Sequence, residues 1–315
     1  MAYDFQQYEG RVVLILGATG FIGCWVARLL SNSKAELVLC VRDVSAAEEL
    51  FARYGIAGRI FQIDLADETQ VRKSLNEIRP DILFNLAVYG VARSEQDPKI
   101  AHQINVELVE VLCQELARSP KSNWDGRRLI HAGTAMEYGQ IPGDLREDSA
   151  GNPTTLYGIS KLAGTQTVMS ICRASGLAGC TARLFAVYGP GEAPERLLPS
   201  LLKIKANPEL LPMTAGLHKR DFVYVEDAAE ALIRLGISSA TPGEIVNVAT
   251  GRLTSIRRFA ELAADTMDIP REYLGFGILP TRVEEMAHLP EQSAITRADG
   301  VVAENKHSGR RHEDA

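Results

Sequence analysis

With 315 residues, 46% of them hydrophobic, the chain is long enough to bury one large core with an appended lobe, or two cores. A formal net charge of −6 leaves no basic footprint for nucleic acid, although a few local arginines can still hold a small anion. The five cysteines, Cys24, Cys40, Cys113, Cys172 and Cys180, are odd in number, fall mostly in apolar segments and lack metal-ligand spacing. They predict free buried thiols in a reducing compartment and no metal site. No apolar run approaches the roughly 18 residues of a membrane span, and MAYDFQQYEG lacks the charged-then-apolar pattern of a signal peptide. The expectation is a soluble cytoplasmic protein with no membrane partner.

In chain order, VVLIL (12–16) reads as a strand buried on both faces, followed by Gly17, Gly20 and Gly23 and then an apolar-periodic helix from about Phe21 to Ser31. A strand, a glycine turn and a helix in that order suit a pyrophosphate. Gly17 can take the turn, Gly20 admits the backbone to the phosphates, Gly23 lets the helix pack on its strand, and the helix N-terminus offers free N–H groups. A second apolar strand, Glu36 to Val41, ends in Arg42 and Asp43. In a dinucleotide fold this tip meets the adenosine ribose, where an acid accepts from the 2′-hydroxyl and an arginine suits a 2′-phosphate. Arg42 therefore favours NADP(H) over NAD(H). The alternatives are that Arg42 is a solvated loop residue and that Asp43 belongs to a helix start, since Ser45 to Glu48 fits a capping box.

A third strand over 59–63 ends at Asp64, a helix over 67–79 stops at Pro80, and a fourth strand covers 81–86. A long helix near 95–117 and a fifth strand over 128–131 continue the alternation, which predicts a doubly wound parallel sheet of the Rossmann type with ligands at the strand C-terminal ends. Beyond a Pro/Gly-containing loop, a helix starting near Thr155 places Tyr157 and Lys161 four residues apart on one face. A phenol titrates near 10 and is a poor acid-base group at neutral pH without a neighbouring ammonium, so a lysine one turn away has a chemical purpose. The hydroxyl of Thr134 follows the intervening strand.

GATGFIG (17–23), NLA (85–87), TAMEYG (134–139), YGISK (157–161), RLFAVYGP (183–190), RDFVYVED (220–227) and VNVATG (246–251) stand in an order that resembles the extended short-chain dehydrogenase/reductases, the superfamily of nucleotide-sugar epimerases, dehydratases and ketoreductases. The resemblance covers roughly residues 10 to 290. It implies that residues 1–182, with returning segments at about 220–253, form the dinucleotide-binding domain. Residues 183–219 and 254–300 then form a smaller substrate-binding lobe, and the polar tail 301–315 is expected to be disordered. It implies a catalytic role for Tyr157 as general acid or base, for Lys161 in holding the nicotinamide ribose and lowering the tyrosine's pKa, and for Thr134 in hydrogen-bonding the same substrate oxygen. Thr19, Phe21, Ile22, Leu65, Ala87 and Leu184 fall among its cofactor contacts beside the three glycines and Arg42, with Asp64 at the adenine. Tyr89, Arg196, Arg220 and Arg282 fall on the substrate side, the last two as candidates for a diphosphate. A homodimer through the helices near 95–117 and 157–174 is a further expectation.

Departures from the family pattern narrow the reaction. The related 4,6-dehydratases carry an Asp and a Glu after the catalytic hydroxyl, where this chain has Ala135 and Met136, and Glu137 is offset by one position. Ala186 replaces a common asparagine, and Asn85 stands where many relatives have histidine. With Arg42, these features lean toward an NADPH-dependent ketoreductase of a nucleotide-linked deoxysugar. The alternatives are an NAD-dependent nucleotide-sugar epimerase, a ketoreductase of a non-nucleotide small molecule and a non-catalytic NADP-sensing protein.

Overall fold

The computed structural model describes residues 5–92, 94–120, 123–141, 145–239 and 241–280. The N-terminal part alternates β1 (Val12–Leu16), α1 (Phe21–Leu30), β2 (Glu36–Val41), α2 (Val44–Tyr54), β3 (Arg59–Gln62), α3 (Glu68–Ile78) and β4 (Ile82–Asn85). A broken helical passage follows as α4 (Pro98–His102), a π-helical turn (Gln103–Glu107) and α5 (Leu108–Arg118), leading to β5 (Leu129–Thr134), α6 (Leu156–Ser175) and β6 (Gly179–Leu184). The remainder supplies β7 (Ala186–Tyr188), α7 (Leu197–Ala206), β8 (Leu211–Met213), β9 (Lys219–Tyr224), α8 (Val225–Ile237), β10 (Glu244–Val248), β11 (Leu253–Ser255), α9 (Ile256–Thr266) and β12 (Leu274–Phe276).

Seven strands form one parallel sheet in the order β10-β6-β5-β4-β1-β2-β3. The pleat of β1 explains its uninterrupted apolar sequence. Val13 and Ile15 enter a core with Val26 of α1 and Leu232 of α8, while Leu14 and Leu16 enter a second core on the other face with Leu112 of α5 and Val168 of α6. The chain winds outward from β1 to β2 and β3, then returns to start β4 on the opposite side of β1. The carboxyl ends of β1 and β4 thus flank a topological switch point, where such sheets open a ligand crevice. β10 extends the sheet beyond β6. The rest of the C-terminal part forms two small sheets, β11-β9-β7 and β12-β8, with its own apolar cluster of Leu201, Ile204, Ala264, Ile269 and Leu274.

Three sequence expectations shift in detail. The fifth strand extends past His131 to Thr134, because its pairing with β6 continues through Thr134 and Leu184. α2 is capped by Asp43, whose carboxylate accepts from Ala46 N at 3.0 Å, and not by a box at Ser45. The long helix begins at Pro98 behind the Asp97 cap, and its π turn rotates Asn105 into the protein, 1% exposed. All five cysteines are buried free thiols. No described helix is long and apolar enough to cross a membrane. Arg282 and the tail 301–315 lie outside the described residues.

Candidate active site

The turn after β1 is built for close approach. Gly17 has φ +75°, and a Cβ there would lie 2.8 Å from Ala87 N and from the Leu86 carbonyl, so only glycine lets the ends of β1 and β4 come together. At Gly23 a Cβ would fall 2.0 Å from the Gly17 oxygen, which locks the first turn of α1 against the loop. Gly20 differs: it is exposed, caps α1 with no side-chain hydrogen bond, and has only Gly17 O near its missing Cβ. The first N–H groups of α1 therefore face an open cradle beside exposed Thr19 and half-buried Phe21 and Ile22. The donor set and shape fit the pyrophosphate of a dinucleotide.

Along the crevice, Arg42 is exposed at the tip of β2 while the adjacent Asp43 carboxylate is engaged by α2. Asp64 is exposed after β3, accepting from Ala66 N at 3.0 Å, and Leu65 and Ala87 pack partly buried against the second core. Leu184 is buried at the end of β6. Tyr89 lies in the loop after β4, with its main chain clamped by Asn105. The Asn105 Oδ1 accepts from Tyr89 N at 3.1 Å, and its Nδ2 donates to Tyr89 O at 2.8 Å and Ser160 Oγ at 2.9 Å. This clamp ties the loop to α6. The next residue, Gly90, lies against Tyr157, whose Cδ2 would be 3.5 Å from a Cβ there.

Thr134 ends β5, and its hydroxyl is near enough to the Tyr157 phenol to favour the phenolate. Its Oγ1 also accepts from Met136 N at 3.2 Å, and its own N–H donates to Glu137 Oε1 at 2.8 Å. Glu137 is fully buried, and its second oxygen accepts from Arg183 Nε at 2.8 Å. Arg183 in turn lies over the Tyr138 ring, 4.3 Å from its centroid. With both carboxylate oxygens engaged, Glu137 is a support beneath Thr134 and has no free oxygen for an elimination.

Tyr157 and Lys161 face the same region from the first turns of α6, which starts behind the Thr155 cap. Burial pushes the Tyr157 phenol up to about 12; the Thr134 hydrogen bond and the Arg196 charge pull it down, and the Glu137 and Glu95 carboxylates add to the rise. The lowering expected from Lys161 does not appear: that ammonium is not among the groups acting on the phenol, and desolvation outweighs Thr134 and Arg196. Lys161 is 1% exposed, and burial draws its ammonium down to about 8 against the pull of Glu137. Its Nζ lies 3.2 Å from Nε2 of His131, whose Nδ1 lies 3.0 Å from Asn85 Nδ2. Sequence reasoning passed over His131, Asn105 and Arg183. The one available sign was polarity out of place: a histidine and an arginine within strands that otherwise read as core.

On the lobe side, exposed Arg196 begins α7, near enough for its charge to act on both Tyr157 and Glu192. Burial raises Glu192 to about 7, and its Oε2 is buried without a hydrogen-bond partner. Arg220 is half-buried on β9 and donates to the Lys219 carbonyl at 2.9 Å. Among the described residues no group of three or more His, Cys, Asp or Glu side chains is placed to hold a metal ion.

Comparison with known proteins agrees with this architecture. The chain is 30% identical over 276 residues to the dTDP-6-deoxy-L-talose 4-dehydrogenase (NAD(P)(+)) of Kitasatospora kifunensis, covering 82% of this chain and 80% of that one. It is 27% identical over 255 residues to the dTDP-glucose 4,6-dehydratase of Neisseria meningitidis, covering 76% and 70%. Among solved structures, the UDP-N-acetylglucosamine 4-epimerase of Methanobrevibacter ruminantium in complex with UDP-N-acetylmuramic acid shares the fold, with a TM-score of 0.80 at 22% identity over 97% of this chain and 94% of that one. The model of the NAD dependent epimerase/dehydratase family matches residues 13–249, and the chain belongs to that family.

Proposed function

We propose that this chain reduces a keto group on a nucleotide-linked deoxysugar at the expense of NADPH. The observation that carries the reading is the tip of β2, where Arg42 is exposed and the neighbouring Asp43 turns one carboxylate oxygen to the cap of α2. A ribose 2′-phosphate needs a cation there. Net reduction draws on the NADPH pool, whereas epimerases of this family recycle a retained NAD. Ala135, Met136 and the engaged Glu137 weigh against 4,6-dehydration, and the talose 4-dehydrogenase relative is named for redox chemistry at a deoxysugar 4-position.

When bound, the dinucleotide supplies the hydride. The chain's own residues complete the reduction. Tyr157, at about 12, holds its proton at neutral pH and gives it to the ketone oxygen, the phenolic O–H breaking as the alcohol O–H forms. Thr134 donates a hydrogen bond to the same oxygen as charge develops on it. The Lys161 ammonium, beside Tyr157 on α6, holds the nicotinamide ribose and offsets the phenolate left behind. Arg196 and Arg220 supply charge for the diphosphate, and α5 with α6 offers the surface for a homodimer.

The test is oxidation of NADPH by the purified protein across a panel of 4-keto-6-deoxy sugar nucleotides, repeated with NADH. Turnover with NADPH is expected, and Arg42→Ala should weaken NADPH binding about tenfold or more while leaving NADH unaffected. No turnover across the panel, or equal use of both cofactors before and after the substitution, overturns the reading.

A further inference from the structure

The Asn85, His131 and Lys161 side chains form a buried row across β4, β5 and α6, each no more than 1% exposed. As placed, Asn85 Nδ2 points at His131 Nδ1, which makes Nδ1 the acceptor and puts the proton of a neutral ring on Nε2. That proton then faces Lys161 Nζ across 3.2 Å, two donors toward one another, while Asn85 Oδ1 is buried with no donor near it. The oxygen and nitrogen of an amide are distinguished only by the network around them. A half-turn of the Asn85 amide resolves the conflict. Its oxygen leaves the place that offers it no donor and accepts from Nδ1–H, and the Nε2 lone pair is then free to accept from the Lys161 ammonium.

The ring is neutral under this assignment. Its full burial, and then the charge of Lys161 beside it, hold its pKa well below the usual histidine value. The other elements packed on it contribute no charge at contact: β6 places Thr181 opposite it in register, and α6 passes it at Gly164, whose missing Cβ would lie 3.6 Å from Nε2.

We propose that His131, fixed by the Asn85 carbonyl as the Nδ1–H tautomer, is the positioning residue of Lys161, accepting from its ammonium through Nε2 and so directing it toward the ribose of the dinucleotide. The inference rests on the reading of Lys161 as the ribose-binding lysine. A lysine on a four-carbon stem has many rotamers, and an acceptor behind the ammonium selects one and retains the charge in a dry site.

The test has two parts. In the nucleotide-free protein, imidazole ¹⁵N shifts report the tautomer, with His131 assigned as the resonance pair missing from His131→Gln; the Nδ1–H form is expected, and the Nε2–H form overturns the proposal. In the second part, NADPH and NADH affinities are measured by fluorescence from below neutrality to above pH 8. His131→Met should lose about tenfold or more, with the loss growing as pH rises, because its lysine gives up the proton earlier. His131→Gln places a carbonyl near the Nε2 position and should restore most of the affinity, while the shorter His131→Asn should not. Equal affinity and pH dependence in His131→Met and wild type refutes the inference. If His131→Met fails to fold, the tautomer and the contrast between the Gln and Asn variants still decide. Failure of the ketoreductase reading shows separately, as absent turnover, since neither part requires a sugar substrate.

Discussion

Replacing Arg183 by methionine tests the support under Thr134. The Arg183 and Glu137 side chains are 2% and 0% exposed and share a 2.8 Å hydrogen bond. Arg183→Met therefore leaves a carboxylate in the core with only Thr134 N to answer it, and removing one partner of such a pair costs about 3–5 kcal/mol. The guanidinium's stacking on Tyr138 is lost as well, worth about 1 kcal/mol. Adding Glu137→Gln to this variant removes the stranded charge and keeps a carbonyl for Thr134 N, so the remaining cost should fall to the about 1–3 kcal/mol of imperfect hydrogen bonding. Urea unfolding followed by the fluorescence of Trp25 and Trp124 measures all three proteins, and the double mutant should be more stable than Arg183→Met alone. An Arg183→Met protein within about 1 kcal/mol of wild type, or a double mutant no better than it, would show that the pair is not the support described here.

Two further outcomes follow from the cradle and from the buried lysine. Gly23→Ala should destabilise the fold by about 1–3 kcal/mol and abolish dinucleotide binding, because its Cβ would sit 2.0 Å from the Gly17 oxygen; Gly20→Ala, facing the open side, should weaken binding with little loss of thermal stability. Lys161, drawn down to about 8 in the fold, titrates near its ordinary 10.5 when unfolded, so the unfolded chain binds the extra proton between those values and stability rises with pH across that window. Wild type should gain up to about 3 kcal/mol relative to Lys161→Met between pH 8 and 10.5, and parallel stability curves for the two proteins would contradict it.

The fold was legible because the residues that set it are local. VVLIL announces a strand buried on both faces, the three glycines mark a turn that a Cβ would block, and Thr155 opens the helix that places Tyr157 and Lys161 on one face. Domain-scale pairing is less so: β10 beside β6 and the small sheet of β7, β9 and β11 join segments far apart in the chain, and the family resemblance implied only that segments near 220–253 return to the first domain. The contacts behind the proposed catalytic residues are not legible in the sequence. His131 meets Lys161 across 30 positions and Arg183 meets Glu137 across 46, and no pattern of spacing encodes such pairs. The phenol's raised pKa is hidden for a related reason: a lysine four residues away is visible in sequence, whereas the desolvation of the phenol and the turn of that lysine toward His131 are not.

Thr134 and Lys161, the two groups proposed to act with Tyr157, are both contacted from β5. At its end, Oγ1 of Thr134 already accepts from Met136 N, so one lone pair is occupied and the hydroxyl proton is free to turn toward the phenol or a substrate oxygen; Glu137, anchored by Arg183, fixes the backbone on which that hydroxyl stands. Three residues earlier the same strand offers His131 to Lys161. For the proposed reduction, a hydroxyl whose oxygen is held in place with its proton left to donate, and an ammonium held in one rotamer, limit the reorganisation needed as charge develops. The strand acquires this control at the cost of burying a histidine, a glutamate and an arginine in or beside a largely apolar sheet, so the network should tolerate paired replacement far better than the loss of any single member.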